Sequence, residues 1–187
     1  MRCFVAVPVP AEVRATVVRV QDDVRRACDA ANVRWARPDT MHLTLKFLGD
    51  VDGARLPAIA RALADEMPRH AVAQISLAGV GAFPSPHRAR VVWLGVRDGA
   101  ADLTVVASAL DGALAGLGLG AETRPFAPHL TLGRARDARR SPDLRAALAA
   151  FGSIAAGSWS PRGVVLFESQ LRPSGAVHRA IDEYPLG

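Results

Sequence analysis

Apolar positions in the first half of the chain follow two alternating periods. An apolar, β-branched run at 2–9 is typical of a strand, and apolar positions three or four apart over 13–28 indicate one face of a helix. Another strand begins at His42, another helical pattern covers 56–67, and residues 72–80 again have strand composition. The pattern therefore predicts the order strand, helix, strand, helix, strand.

The second half repeats this order. The tetrapeptide HLTL at residues 42–45 recurs at 129–132, an offset of 87 residues (129 − 42). At nearly the same offset the first strand pattern returns at 89–96 and the first helix pattern at 103–117. A helix at 144–151, a strand at 163–171 and a further strand in the tail at 176–181 complete the predicted elements.

This repetition predicts a single α+β domain over residues 1–187, with pseudo-repeats at approximately 1–88 and 89–175. Two similar lobes with antiparallel sheets are expected to pack about a pseudo-twofold axis. The helices are expected on the outside of this duplicated fold, and the active-site cleft between the lobes.

Composition narrows the class of protein. Half of the residues are hydrophobic, which excludes a disordered chain, and no run of about 18 uncharged apolar residues exists, which excludes a transmembrane helix. Pro8 and Pro10 interrupt the apolar N-terminal stretch, so it does not have the form of a signal peptide. Two cysteines, Cys3 and Cys28, do not suit a disulfide framework, and we therefore expect a reducing, cytoplasmic location.

The charge balance is less informative. The chain has 23 Lys and Arg residues against 18 Asp and Glu, a formal net charge of +5. All of the basic residues except Lys46 are arginines, which suit bidentate phosphate contacts but also accompany a biased genome composition. The charge is thus compatible with an anionic partner but does not establish one.

The repeated HxT pattern carries the candidate chemistry. In a strand, residues two apart point to the same face, so His42 projects with Thr44 and His129 projects with Thr131. The intervening leucines face the core. We expect the pseudo-twofold packing to bring the two polar pairs together in the cleft.

Two imidazoles and two hydroxyls suit the cleavage of a phosphodiester. The ordinary pKa of histidine allows one copy to be neutral and the other protonated near pH 7. One imidazole can take a proton from water while the other protonates the departing oxygen, each transfer contributing roughly 10²- to 10⁴-fold. The threonine hydroxyls can donate hydrogen bonds to the phosphate oxygens. This scheme requires no metal or other cofactor, and it leaves open which histidine is the acid.

These motifs and their surroundings resemble the 2H phosphoesterase superfamily, which is defined by two HxT motifs. Within it, the chain is most similar to the RNA 2′,3′-cyclic phosphodiesterases, also described as 2′-5′ RNA ligases. The matching segments are residues 2–6, residues 41–49 with Trp35 and Pro38 before them, and residues 91–96, 124–134 and 166–171.

The resemblance implies hydrolysis of a 2′,3′-cyclic phosphate on RNA or a nucleotide to a 2′-phosphomonoester, by a monomer active in RNA processing. It implies that His42 is the proton donor to the departing 3′-oxygen and that His129 is the proton acceptor that activates water. Thr44 and Thr131 would hold the phosphate. The reverse reaction, with a ribose hydroxyl in place of water, would join RNA ends by a 2′-5′ bond.

Two cationic side chains are predicted to bind the substrate. Lys46 has the same strand parity as His42 and Thr44, and Arg134 follows the second motif at a position where similar proteins also carry arginine. By the same parity, Phe47 is predicted to lie in the core.

Other residues have weaker signals. Phe83 lies at a predicted turn and is a candidate for stacking on a base, whereas Trp93 lies inside an apolar strand and is predicted to be in the core. The arginines in residues 136–140 can extend a track for an RNA backbone, although a solvated face is an equal alternative. Three histidines without metal-ligand spacing are predicted at the surface or in loops: His70, His87 and His178.

Three alternative functions stay open. One is another cyclic or 2′-5′ phosphodiester substrate, such as an ADP-ribose cyclic phosphate, a 2′-5′ oligoadenylate or a U-tailed RNA end. A second is an RNA-end-binding module without turnover, which is disfavoured because binding alone does not need two titratable imidazoles. A metal-dependent phosphatase is disfavoured because no acidic cluster accompanies His42 and His129 in the sequence.

Overall fold

An antiparallel sheet forms the centre of the molecule. The computed structural model describes residues 1–28, 32–120, 124–137, 139, 142–172 and 175–187. Within these ranges the strands are β1 (Arg2–Pro8), β2 (Val33–Trp35), β3 (His42–Asp50), β4 (Ile75–Phe83), β5 (Val91–Val96), β6 (His129–Ala135), β7 (Ala155–Trp159), β8 (Gly163–Arg172) and β9 (Gly175–Pro185). Their order across the sheet is β7-β4-β5-β6-β3-β1-β8-β9, with β2 paired to β6.

Helices pack against this sheet from both halves of the chain. In the described residues they are α1 (Ala11–Cys28), α2 (Leu56–Glu66), α3 (Ala100–Ala115) and α4 (Arg145–Ala149). Helix α1 packs against β7 and α4, whereas α3 packs against β3 and α2. Val17 of α1 and Leu110 of α3 belong to the same buried apolar cluster as the strand residues Leu43 and Leu130. Each half therefore contributes to one shared core.

The predicted α+β fold is confirmed. The two predicted sheets join at the middle of the strand order, where β3 of the first half pairs with β6 of the second half. Among the described residues, one residue pair defines the register of these two strands: Leu43 lies opposite Leu130. The two halves thus meet at the repeated HLTL motif. No helix among the described residues is long and apolar enough to cross a membrane.

Several strand bounds differ from the sequence-based ones. Strand β4 begins at Ile75 rather than at residue 72, and β9 covers Gly175–Pro185 rather than 176–181. Strands β2 and β7 were not predicted. They contain three and five residues, too few to show an alternating pattern, and pairing with longer strands defines them.

Gly133 allows β2 to lie close against β6. A Cβ at this position would be 2.8 Å from Val33 Cγ1 and 3.1 Å from Trp35 Cε3. Both distances are shorter than ordinary van der Waals contact. The short strand β2 can therefore cover β6 just beyond the second motif because residue 133 has no side chain.

We expect Gly133→Ala to lower the free energy of unfolding by about 1–3 kcal/mol, because the added methyl group must displace Val33 or Trp35 in a packed region. Urea unfolding measures this change. Gly112→Ala in α3 is the matched control, since a Cβ there meets nothing within 4 Å, and alanine is the better helix former. Equal stability of the two variants would contradict the packing argument.

Candidate active site

The junction of β3 and β6 brings the two HxT motifs together. Because the strands are antiparallel and Leu43 lies opposite Leu130, His42 comes beside Thr131 and Thr44 comes beside His129. The two leucines are buried on one face of the sheet, at 1% and 0% exposure. The four polar side chains are half-buried on the other face.

Both motif strands contain a β-bulge at the same place. Between β1 and β3 the pairing passes from Ala6–Thr44 to Val5–Lys46, which leaves Leu45 as the extra residue. Between β5 and β6 it passes from Trp93–Thr131 to Val92–Gly133, which leaves Leu132 as the extra residue. Leu45 and Leu132 are separated by the same 87 residues as the motifs, so the bulge belongs to the repeated unit.

The bulge changes which side chain after each motif lies on the same face of the sheet as the histidine and threonine. Position 46 is buried and Phe47 is 61% exposed, so the prediction that Phe47 lies in the core is wrong. An unbroken alternation of side chains along β3 would bury Phe47, and the extra residue of the bulge reverses that alternation. Arg134 occupies the position equivalent to Phe47 and is also exposed. Gly133 in the second motif strand is the one sequence signal that could have indicated a bulge.

Lys46 lies at the cleft, but its charge is already paired. Its Nζ donates to the Asp111 carboxylate of α3 and to the carbonyl oxygen of Gly120, the latter at 2.8 Å. Only 3% of the Lys46 side chain is exposed. Its contact with the substrate stays a prediction.

Both motif imidazoles are oriented by the same hydrogen bond. Nδ1 of His42 donates to the carbonyl oxygen of Thr40, and Nδ1 of His129 donates to that of Ala127, both at 2.7 Å. This arrangement favours the tautomer in which Nε2 of each neutral ring is available for proton transfer. Nε2 of His42 lies 3.0 Å from the Thr44 hydroxyl oxygen. The two motif residues on β3 are therefore in direct contact.

The aromatic surroundings of the two imidazoles differ. The His42 ring lies 4.7 Å from the ring of Phe4, and the His178 ring approaches it edge-on at 5.2 Å. The His129 ring instead meets Phe83 edge-on at 5.0 Å. The pseudo-twofold repeat thus holds two equal motifs in unequal environments.

His178 corrects a sequence-based prediction. It lies on β9, half-buried against the His42 and Phe4 rings, not at the surface or in a loop. The position of His178 in the sequence does not indicate this contact, because strands β1 and β8 lie between β3 and β9 in the sheet. Two other histidines follow the prediction, since His70 lies in a loop and His87 is exposed.

Burial lowers the pKa of both motif histidines. The pKa of His42 falls from 6.5 to about 4, mainly because burial disfavours the charged ring, and nearby His178, Arg134 and His129 add to the effect. Burial and Arg134 also lower the pKa of His129. In each case the bond to a backbone carbonyl opposes the shift. Both imidazoles are therefore neutral near pH 7 in the protein alone.

A cleft of about 860 Å³ lies beside the motifs. Thr44, His129 and Arg134 line it, with Phe47 and Phe83 also on its walls. Two further arginines and the segment before β6 complete its lining: Arg90, Arg124, Pro125, Phe126 and Ala127. The cleft therefore combines Thr44 and His129 with cationic and aromatic surfaces, which suits an anionic ligand with a planar ring, whereas His42 and Thr131 are not among its lining residues.

The remaining candidates contribute less to the cleft. Trp93 is half-buried and packs against Phe83 at 5.1 Å, so it supports the cleft wall rather than lying wholly in the core. Arg136 and Arg139 are exposed, and Arg140 lies outside the described residues. Among the described residues, no group of three or more His, Cys, Asp or Glu side chains has an arrangement that could hold a metal ion.

Comparison with known proteins identifies the family of this site. The LigT-like phosphoesterase family matches the chain twice, over residues 7–93 and 94–178. The chain belongs to this family, and the resemblance to 2H phosphoesterases is confirmed.

Curated relatives and solved structures are similar to this chain over essentially its whole length. An RNA 2′,3′-cyclic phosphodiesterase of Methanothermobacter thermautotrophicus is 32% identical over all of this chain and 99% of its own length, and one of Thermus thermophilus is 33% identical over all of this chain and 90% of its own length. The structure of TT0787 of Thermus thermophilus matches with a TM-score of 0.79 and 29% identity, covering 100% of this chain and 98% of that protein. E. coli LigT complexed with 3′-AMP matches with a TM-score of 0.78 and 25% identity, covering 99% of this chain and 97% of that protein.

The low pKa of His42 leads to a measurable prediction. Titration of the imidazole by NMR is expected to give a pKa of about 4 for His42 in the protein alone. Added inorganic phosphate is expected to raise that pKa, because an anion beside the ring favours the charged form. A pKa at or above 6.5 without phosphate, or no change on adding it, would contradict this description of the site.

Proposed function

We propose that this protein hydrolyses the 2′,3′-cyclic phosphodiester of an RNA end or nucleotide to a 2′-phosphomonoester. The observation that carries the proposal is the meeting of two HxT pairs at one register position, with both Nδ1 atoms anchored to backbone carbonyls. Each imidazole can then exchange a proton through Nε2. The names of the relatives support the substrate class.

The proposed reaction is a single displacement at phosphorus. His129 Nε2 takes a proton from water as the water oxygen forms a bond to phosphorus, and the bond from phosphorus to the 3′-oxygen breaks. His42 Nε2 gives its proton to the departing 3′-oxygen. A neutral His129 suits the accepting role, and its lowered pKa keeps it neutral near pH 7.

The donor role requires His42 to become protonated in the complex. The phosphodiester places a negative charge beside the ring, which raises its pKa. Arg134 lowers the pKa of His42 in the protein alone, and pairing of its guanidinium with the phosphate weakens that effect. In this proposal the negative charge of the substrate raises the pKa of His42, and the protonated His42 then gives its proton to the departing 3′-oxygen of the same substrate.

Other residues at the site bind the substrate in the proposed complex. Thr44 and Thr131 donate hydrogen bonds to the non-bridging phosphate oxygens, where charge develops. Arg134 pairs with the phosphate, and the exposed ring of Phe47 offers a face for the base. The complexes of E. coli LigT with 3′-AMP and with ATP support a nucleotide as the ligand class.

Three further features belong to the proposal. With the 5′-hydroxyl of a second RNA end in place of water, the new bond to phosphorus would form a 2′-5′ linkage as the 3′-oxygen departs, by the same proton transfers. Since one chain supplies both HxT pairs, we propose that a monomer is active. We also propose that the reaction needs no metal ion, because the two imidazoles and the Arg134 charge carry all the required roles. A cytoplasmic location stays a prediction.

We expect the protein to convert a 2′,3′-cyclic nucleotide to the 2′-phosphomonoester in the presence of EDTA, because the proton transfers need only the two imidazoles. Phosphorus NMR distinguishes the 2′-product from the 3′-product. Formation of the 3′-phosphate, or loss of activity in EDTA that added metal restores, would refute the mechanism.

Replacement of either motif histidine is expected to slow turnover at least about 100-fold with the fold retained, because each variant loses one proton transfer. His42→Ala and His129→Ala are compared with His87→Ala, whose exposed ring pairs with Asp143 and does not line the cleft. Steady-state rates and circular dichroism provide the comparison. Near-normal turnover in a motif variant would remove that histidine from the mechanism.

A further inference from the structure

Lys46 is the only lysine in the chain, and its ammonium group is paired with partners inside the protein. Its ammonium donates to the Asp111 carboxylate and, at 2.8 Å, to the carbonyl oxygen of Gly120. The Lys46 side chain is 3% exposed and that of Asp111 is 29% exposed. A buried ammonium needs such partners, because removing a charge from water is costly unless it is paired and hydrogen-bonded.

These contacts connect the first half of the molecule to the second. Lys46 follows the first HxT motif on β3, whereas Asp111 lies on α3 and Gly120 lies beyond the end of that helix. The chain then leads to residues 124–127, which line the cleft, and to His129. The carbonyl oxygen of Ala127 accepts the hydrogen bond that orients the His129 ring. Lys46 therefore bonds to two points, on α3 and just beyond it, from which the chain continues to the second histidine.

The other motif strand has a different, uncharged connection. At the offset of 87 residues the counterpart of Lys46 is Gly133, which has no side chain. There the buried Gln21 of α1 donates to the carbonyl oxygens of Leu132, at 2.8 Å, and Ala36, at 2.9 Å. Each motif strand is thus bonded to the long helix of the opposite half. Only the α3 connection places a charged pair at the cleft.

We propose that Lys46 is a positioning residue, which holds α3 and the segment before β6 so that His129 faces His42. It also neutralises Asp111, a carboxylate on the cleft wall that would otherwise repel a phosphate. This inference rests on the proposed hydrolysis of a phosphodiester. It differs from the sequence-based prediction, in which the Lys46 ammonium binds the substrate itself.

The positioning role and the phosphate-binding role of Lys46 predict different effects of Asp111→Asn on the kinetic constants. If Lys46 positions the segment and neutralises Asp111, Lys46→Met and Asp111→Asn each disturb the same contact, and each is expected to lower kcat. Lys46→Met is also expected to raise KM, because it leaves the Asp111 charge uncompensated. If Lys46 binds the phosphate, Asp111→Asn frees the ammonium and lowers KM.

The test is a double-mutant cycle on kcat and KM with a 2′,3′-cyclic nucleotide. We expect each single variant to lose about tenfold or more in kcat/KM, and the double variant to lose no more than the worse single one, since both changes remove one interaction. Asp23→Asn is the matched control, because it breaks the exposed pair between Asp23 and Arg26 on α1 and is expected to leave kcat unchanged. Additive losses, or a lower KM in Asp111→Asn, would overturn the proposal.

Amide hydrogen exchange provides a readout that does not depend on activity. Residues 112–120 and 124–129 are expected to exchange faster in Lys46→Met and in Asp111→Asn than in Asp23→Asn. Unchanged exchange in these segments would overturn the positioning role. If Lys46→Met does not fold, Asp111→Asn and the conservative Lys46→Arg carry the same test. Absence of phosphodiesterase activity in the unmodified protein would refute the proposed function, while the exchange result would still decide the role of Lys46.

Discussion

The arrangement of the site depends on one backbone pairing, that of Leu43 with Leu130 where the halves of the sheet meet. Because side chains alternate along each strand, this pairing puts both leucines in the core and both HxT pairs on the opposite face. A slip of one residue in either strand would turn its histidine and threonine towards the core. Burial of two leucines therefore fixes the register that brings the reactive groups together.

The repeated bulge extends the site beyond the HxT pairs. One extra residue after each threonine lets the strand bury two successive residues and then return to the cleft. In the first motif the returning side chain is Phe47, and in the second it is Arg134. The same backbone feature thus presents an aromatic surface on one side and a cation on the other. These are complementary to the base and the phosphate of the proposed substrate.

Duplication gives the site two similar histidines, and the surroundings make them unequal. His42 packs against Phe4 and His178, whereas His129 packs against Phe83 and is oriented by a segment that Lys46 helps to hold. An acid and a base must differ in their proton affinity in the complex. Packing from outside the repeated motif gives the two rings different surroundings, which a symmetric pair of motifs could not provide alone.

Local sequence determined the parts of this protein that depend on near neighbours: the helices, most strands, the repeat, and the shared face of each histidine with its threonine. Periodicity is sufficient there because burial of one face is a local requirement. Only the tertiary structure decided the features that depend on distant partners. The bulge overrode the parity of Lys46 and Phe47, a contact 65 residues away paired the Lys46 charge, and strand order brought His178 to His42. No local pattern encodes these contacts, because each depends on residues that are distant from one another in the sequence.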